Sequence, residues 1–274
     1  MTLHDIRSHY VDAARRALAA DAPGLSGAES VTRLFQAPYR YWETWLRAKI
    51  DRQGGLRVLD YGCGQGAHSV YAATLGAKVV GVDVVTEGLT VASLRAVAAG
   101  LAGRIHFVVA DCERLSLADA TFDVVFSSGM LFCLDPHRAF GEMARALRPA
   151  GTAFVVETLG ENPLLGAWRR IRAAVRPSAA SSFPHRFRLS ELSHARDFFG
   201  RVEIRYFGLA TAAAALMHGA RDSQRVAAIA DRIDTLLCRV PGLRRWSMKV
   251  VIILSEPLNG FRPGEADQSL VQRR

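Results

Sequence analysis

Between residues 56 and 157, short apolar runs alternate with segments of helical periodicity, and this alternation restricts the possible folds more than any other feature of the chain. The runs Leu56–Asp60, Lys78–Val82, Arg104–Val109, Phe122–Phe126 and Thr152–Val156 are rich in Val, Ile, Leu and Phe. The segments His68–Leu75, Thr86–Ala99 and Pro136–Leu147 have helical length and pattern. Strands that are apolar along their whole length must be covered on both faces. Helical crossovers join neighbours in parallel and supply that cover. The expected architecture is therefore α/β, with a mostly parallel sheet between layers of helices.

The flanking regions follow other rhythms. Residues 1–53 read as helices, Asp5–Ala20 and Pro38–Asp51, the second carrying Tyr39, Tyr41, Trp42 and Trp45. Ala22-Pro23-Gly24 and Gln53-Gly54-Gly55 end them. Beyond Glu157 the sequence predicts a helix from Asn162 to Val175, a loop over Pro177–Pro184, and a helix Ser190–Phe199 capped by Ser190. A sixth strand Val202–Phe207, a helical stretch Thr211–Val240 and a seventh strand Val250–Leu254 follow. The expected divisions are an N-terminal helical cap over 1–53 and a ligand-binding core over 54–157. Residues 158–257 supply substrate-facing insertions with the last two strands, and 258–274 a flexible tail.

Composition limits the class further. Of 274 residues, 50% are hydrophobic and 22% charged, enough apolar material for a core and too much for general disorder. The uncharged stretch Tyr206–Met217 is short of the ~18 residues a membrane span needs. The polar start (His4, Asp5, Arg7) lacks the apolar centre of a secretory signal, and the expected location is cytoplasmic. No two of the four cysteines form a CxxC pair, so neither a metal site nor a redox couple is expected. The net charge of +9 is uneven: residues 161–274 carry 19 Lys and Arg against 10 Asp and Glu, while residues 1–160 balance. Such a surface suits nucleic acid, anionic lipid or anionic small molecules. It also suits a solvated face in a chain that uses Arg almost in place of Lys.

Four features carry chemistry. Asp60-Tyr61-Gly62-Cys63-Gly64-Gln65-Gly66 lies between a strand and a helix, where glycines turn the backbone sharply and a helix N-terminus favours polar or anionic groups. Gly62, Gly64 and Ala67 also satisfy the dinucleotide fingerprint, so the loop alone is ambiguous. Asp83 ends the second strand, where a carboxylate can accept from both ribose hydroxyls. Asp111-Cys112 follows the third strand, where a carboxylate and an adjacent amide can bracket an adenine edge. Ser127-Ser128-Gly129 ends the fourth, at the sheet edge where open α/β folds bind ligands.

Together, Val58-Leu59-Asp60-Tyr61-Gly62-Cys63-Gly64-Gln65-Gly66, Val79-Val80-Gly81-Val82-Asp83, Ala110-Asp111-Cys112, Phe122–Ser128 and Leu147-Arg148-Pro149-Ala150-Gly151 resemble the class I S-adenosylmethionine-dependent methyltransferases. The resemblance covers about residues 56–157. It implies a Rossmann-like seven-stranded sheet whose last strand runs antiparallel beside the sixth. It implies S-adenosyl-L-methionine as cofactor, leaving as S-adenosyl-L-homocysteine. Asp60, Gly62, Cys63 and Gly64 would hold the methionine part, Asp83 the ribose, Asp111 and Cys112 the adenine, with Ser128 near the amino acid portion. The loop has no phosphate-binding Lys, consistent with a cofactor lacking pyrophosphate.

Acceptor choice should reside outside that core, in the N-terminal helices, the 158–188 insertion and a helical cap between strands six and seven. His185, in a loop after the fifth strand, is the candidate general base. His137 and His218 are weaker candidates, and Arg169, Arg170, Arg172 and Arg186 could meet an anionic acceptor. The expected reaction is in-line methyl transfer to a heteroatom of a small metabolite or natural-product-like acceptor, by a monomer or homodimer. The competing readings are an RNA or DNA methyltransferase using the basic C-terminal half, and a peripheral-membrane lipid or quinone methyltransferase. For the last, Leu236, Leu237, Val240, Leu243 and Trp246 with Arg239, Arg244 and Arg245 could form a basic amphipathic surface. Asp83→Ala is expected to cost cofactor affinity and leave the fold largely intact.

Overall fold

The computed structural model describes residues 8, 10–15, 36–162, 166, 186–211, 224–244 and 246–258. Seven strands form one sheet: β1 (Arg57–Tyr61), β2 (Lys78–Asp83), β3 (Ile105–Val109), β4 (Phe122–Ser128), β5 (Leu147–Thr158), β6 (Phe199–Phe207) and β7 (Lys249–Pro257). Their spatial order is β3-β2-β1-β4-β5-β7-β6. β1 to β5 pair in parallel, and β7 lies between β5 and β6, antiparallel to both. The order reverses between β1 and β4, the kind of point where open α/β sheets take ligands. The start of β7 therefore shares a rim with the ends of the other six.

The helices are α1 (Ala37–Gln53), α2 (Ala67–Thr74), α3 (Thr86–Ala98), α4 (Pro136–Ala146), α5 (Leu192–Arg196), α6 (Gln224–Leu237) and the single turn α7 (Pro241–Arg244). Side chains alternate across the strands, so each strand feeds two cores. Val58, Val124, Phe126, Phe154 and Val156 meet Tyr39, Trp42 and Leu46 of α1, Val70 and Ala73 of α2, and Ala96 of α3. Leu59, Tyr61, Val125, Val155 and Ile252 meet Ala139, Phe140 and Met143 of α4, and Leu192 and Ala195 of α5. The aromatics of α1 fasten it to the sheet: the Trp42 ring lies 4.3 Å from Phe126 and 5.0 Å from Phe154, centroid to centroid. Burial of rings this large, at ~25 cal/mol per Å², ties α1 to the core.

The expected seven-stranded architecture stands, and the edges differ in three places. The expected helix Ser190–Phe199 shrinks to a 3₁₀ turn at Leu189–Glu191 followed by α5, and β6 begins at Phe199. The ladder decides this, because Phe199 pairs with Pro257 of a seventh strand longer than expected. Ser190 is not the cap: it lies inside the turn, and the Arg188 N–H instead donates to Glu191 at 3.0 Å. Within the expected helical stretches, residues 10–15, Gly166, 209–211 and α6 are helical. Ser8 is helical as well and Asn162 is not, while the rest of Asp5–Ala20, residues 163–165 and 167–175, and residues 212–223 lie outside the described residues.

Candidate functional site

The glycine loop leaves β1 at Tyr61 and turns into α2. Its amides are committed within the fold: Gly62 and Cys63 N–H both donate to the Val82 carbonyl at 2.9 Å, and Gly66 N–H to Cys63 at 2.8 Å. Gly62 and Gly64 hold φ of +74° and +52°, the left-handed region that favours glycine. A Cβ on Gly62 would strike the Met130 side chain, whereas a Cβ on Gly64 would project into open space. Gly64 thus leaves room for a ligand against the backbone. α2 starts at Gly66 without a side-chain cap, so its first amides offer a positive dipole end beside the loop.

Asp83 binds the loop to β2. Its carboxylate accepts from Gly64 N–H (2.9 Å) and from Val85 N–H (2.9 Å), just before α3. Burial raises its pKa, and these backbone bonds work in the opposite direction. Asp60 is nearly inaccessible and accepts from Ser69 Oγ at 2.6 Å. Burial, reinforced by the charge of Asp83, pushes its carboxyl up to about 7. Cys63 and Cys112 are both buried, and burial drives both thiols well above the ordinary cysteine range. The Tyr61 hydroxyl donates to the Cys112 carbonyl, fixing the turn after β3 beneath the loop. Asp111 is exposed, accepts from Glu113 N–H at 2.8 Å, and bridges to Arg114.

Across the crevice Ser128 ends β4, its hydroxyl 3.1 Å from Tyr39 OH. Lys249 at the start of β7 donates to the same phenol oxygen at 3.2 Å, so the Tyr39 proton is free to point to Ser128. His68, in the first turn of α2, stacks on the Tyr39 ring at 5.3 Å. Burial, with the charge of Lys249, lowers its pKa to about 4. It is therefore neutral at neutral pH. Glu157, one residue before the end of β5, accepts from Met130 and Leu131 N–H at 2.8 and 2.7 Å. Burial pushes it to about 7, against the opposing pull of these amides and of Lys249. Tyr10 comes over the same crevice. Its phenol is raised to about 12, first by burial and then by Cys133, Asp83 and Glu157. Ala14 is fully buried, and Arg15 approaches Glu87 of α3 at 3.5 Å.

The structure thus places Asp60, Gly62, Cys63, Gly64, Asp83, Cys112 and Ser128 along one rim of the sheet, at the ends of β1, β2 and β4 and in the turns after β1 and β3, with Asp111 exposed beside them. His185 and His218, with Arg169, Arg170 and Arg172, lie outside the described residues. His137 packs edge-on against Phe198, near α5. The sequence reading missed Tyr39, His68, Glu157 and Lys249. Two signals were available: Glu157 is an acid closing a wholly apolar strand, and Lys249 is one of three lysines in the chain. Among the described residues, no three His, Cys, Asp or Glu are grouped to hold a metal ion.

Outside the crevice, a small rim pocket is lined by Ala37, Pro38, Phe207, Thr211, Met248 and Lys249. α6 is fastened beside it. Buried Asp234 accepts from Gly208 N–H at 3.0 Å and from Thr211 Oγ1 at 2.9 Å, and Asp231 pairs with Arg40 of α1.

Residues 59–155 match the family model described as a methyltransferase domain. Methyltransferase GfsG of Streptomyces halstedii is 35% identical over 130 residues, 47% of this chain and 46% of that protein. The malonyl-[acyl-carrier protein] O-methyltransferase of Pseudescherichia vulneris is 36% identical over 129 residues, 46% of this chain and 49% of that one. The chain thus spans just under half the length of these curated relatives. Among solved structures, the geranyl diphosphate C-methyltransferase of Streptomyces coelicolor A3(2), in complex with S-adenosyl-L-homocysteine, superposes with a TM-score of 0.51. It has 17% identity and covers 80% of each chain, a likeness of fold.

Proposed function

With residues 59–155 forming a class I S-adenosylmethionine-dependent methyltransferase domain, we propose that this chain methylates a heteroatom of a small acceptor held at the rim beside Lys249. One observation carries the reading: Asp60, Asp83 and Glu157 stand towards the C-terminal ends of strands of one sheet, beside a glycine loop with open space over Gly64, and Ser128 and Tyr39 meet at 3.1 Å on the same rim. Asp60, Asp83 and Glu157 suit a ligand bearing a sulfonium and an ammonium. The uncapped start of α2 suits its carboxylate. Asp83 would take the ribose hydroxyls with the acceptor capacity its two backbone bonds leave over. Gly62, Cys63 and Gly64 would shape the bed of the methionine part, Asp111 and Cys112 the adenine end, and Ser128 the amino acid end.

The bound cofactor would supply an activated methyl group on a neutral leaving sulfide. The protein then has to align, dry and, for a protonated acceptor, deprotonate. Lys249 holds the Tyr39 hydroxyl oxygen, which directs its proton to Ser128 and fixes a polar edge between the two recesses. His185 is proposed as the base from its place in the chain after β5.

Calorimetric titration with S-adenosylmethionine and S-adenosylhomocysteine, followed by transfer of a labelled methyl group into a small-molecule fraction, tests the reading. Saturable binding of both and label in that fraction are expected. No binding, or label found in RNA or DNA instead, overturns it.

A further inference from the structure

The outer face of the helix that closes the rim carries large apolar side chains that none of the described residues cover. Ile229, Ile233 and Leu236 on α6 are 58%, 43% and 65% exposed, and Val240 and Leu243 continue the row at 48% and 38%. The first three, spaced by four and three residues, form one stripe along α6, and Val240 in the following turn and Leu243 in α7 extend the exposed apolar set. Isolated exposed Leu or Ile residues are ordinary, whereas neighbouring ones gathered into a contiguous exposed patch mark an interaction face.

The charges sort by face. The acids of α6 turn inward: Asp234 is buried against Gly208 and Thr211, and Asp231 is paired with Arg40. The exposed charged residues of residues 228–244 are Arg232, Arg239 and Arg244, the last stacked over the Tyr206 ring at 5.5 Å. Between residues 228 and 244 the exposed face is thus apolar along its middle and cationic beside it. A second copy of the same face would set arginine against arginine. An anionic lipid surface satisfies both parts at once: the apolar row enters the headgroup boundary and the guanidinium groups meet phosphates.

We propose that α6, with the turn after it, is a docking element for an anionic phospholipid surface. This goes beyond the methyl-transfer reading, and it is tested without turnover. The whole chain is sedimented with vesicles of mixed phosphatidylcholine and phosphatidylglycerol, and with vesicles of phosphatidylcholine alone. Preferential sedimentation with the anionic vesicles, weakened by salt, is expected. The double variant I233S/L236S should weaken it about a hundredfold, roughly tenfold per buried side chain. R232Q/R239Q should remove the preference for anionic lipid. Both pairs are exposed, so S-adenosylhomocysteine titration and melting temperature should match those of the parent and report an intact fold. Three outcomes overturn the proposal: equal sedimentation with and without anionic vesicles, parent-like binding by I233S/L236S, or a parent dimer that the same variant converts to monomer without any vesicle binding.

Discussion

Asp83 is the residue at which sequence and structure make different demands, and its removal should expose both. In Asp83→Ala, the Gly64 and Val85 amides lose the carboxylate that each meets at 2.9 Å. Bonds to a charged acceptor contribute ~1.5–3 kcal/mol each, and a buried donor left unpaired costs ~1–3 kcal/mol. The carboxylate is itself desolvated in the fold, which offsets part of this. A net loss of about 3 kcal/mol follows, and at ~2–4 °C per kcal/mol the ligand-free melting temperature should fall by roughly 6–12 °C. To the expectation from sequence alone, an intact fold with weakened cofactor binding, these two bonds add an expected loss of stability. Loss of two ribose hydroxyl bonds to the same carboxylate would further weaken S-adenosylmethionine binding by about 10²–10⁴-fold. Differential scanning fluorimetry without ligand and calorimetric titration at a temperature where the variant is folded separate the effects. A melting temperature unchanged within ~1 °C would refute the structural role. Unchanged affinity in a folded variant would refute the ribose assignment.

Other substitutions and conditions give independent checks. Gly64→Ala should lower stability by only about 1 kcal/mol, since the strain is the φ of +52° alone. Its methyl group projects into open space, so S-adenosylhomocysteine affinity, read by titration, should fall by more than stability does. Asp60 and Glu157 both titrate near 7 in the fold, far above their usual values, so each favours the protonated folded state. The stability these two groups contribute should therefore be fully present below the ordinary carboxylate range and be lost as pH rises towards about 7, as the difference between parent and Asp60→Asn melting curves across pH would register. Asp60→Asn should flatten that decline. The same two acids ionise in the presence of a cation, so S-adenosylmethionine should gain more affinity than neutral-sulfur S-adenosylhomocysteine between about pH 6 and 8. Tyr39→Phe deletes the hydroxyl shared by Lys249 and Ser128 while keeping the ring on His68. It should leave cofactor affinity nearly unchanged and lower the rate of methyl transfer in the labelled-methyl assay.

Much of this protein was legible in one dimension because its physics is local. Parallel strands buried on both faces must be continuous apolar runs, and those between 56 and 157 could be read directly. Gly62, Gly64 and Asp83 were likewise visible, because a tight strand-to-helix turn needs backbone freedom and a strand-end carboxylate has few other uses. The start of β6 was not legible: Phe199 is a strand residue because Pro257 lies opposite, a pairing across dozens of residues. The partners of Tyr39 were not legible either, since Ser128 and Lys249 come from distant strands that meet only when β7 inserts between β5 and β6. Sequence therefore determined the strands of the parallel core and the glycine loop, set by neighbours in the chain, whereas the switch point between β1 and β4 follows from the strand order. The tertiary structure alone decided which side chains face one another across the rim, which acids are pushed towards neutrality by burial, and which face of α6 is left exposed. Desolvation and long-range packing depend on what the rest of the chain brings alongside.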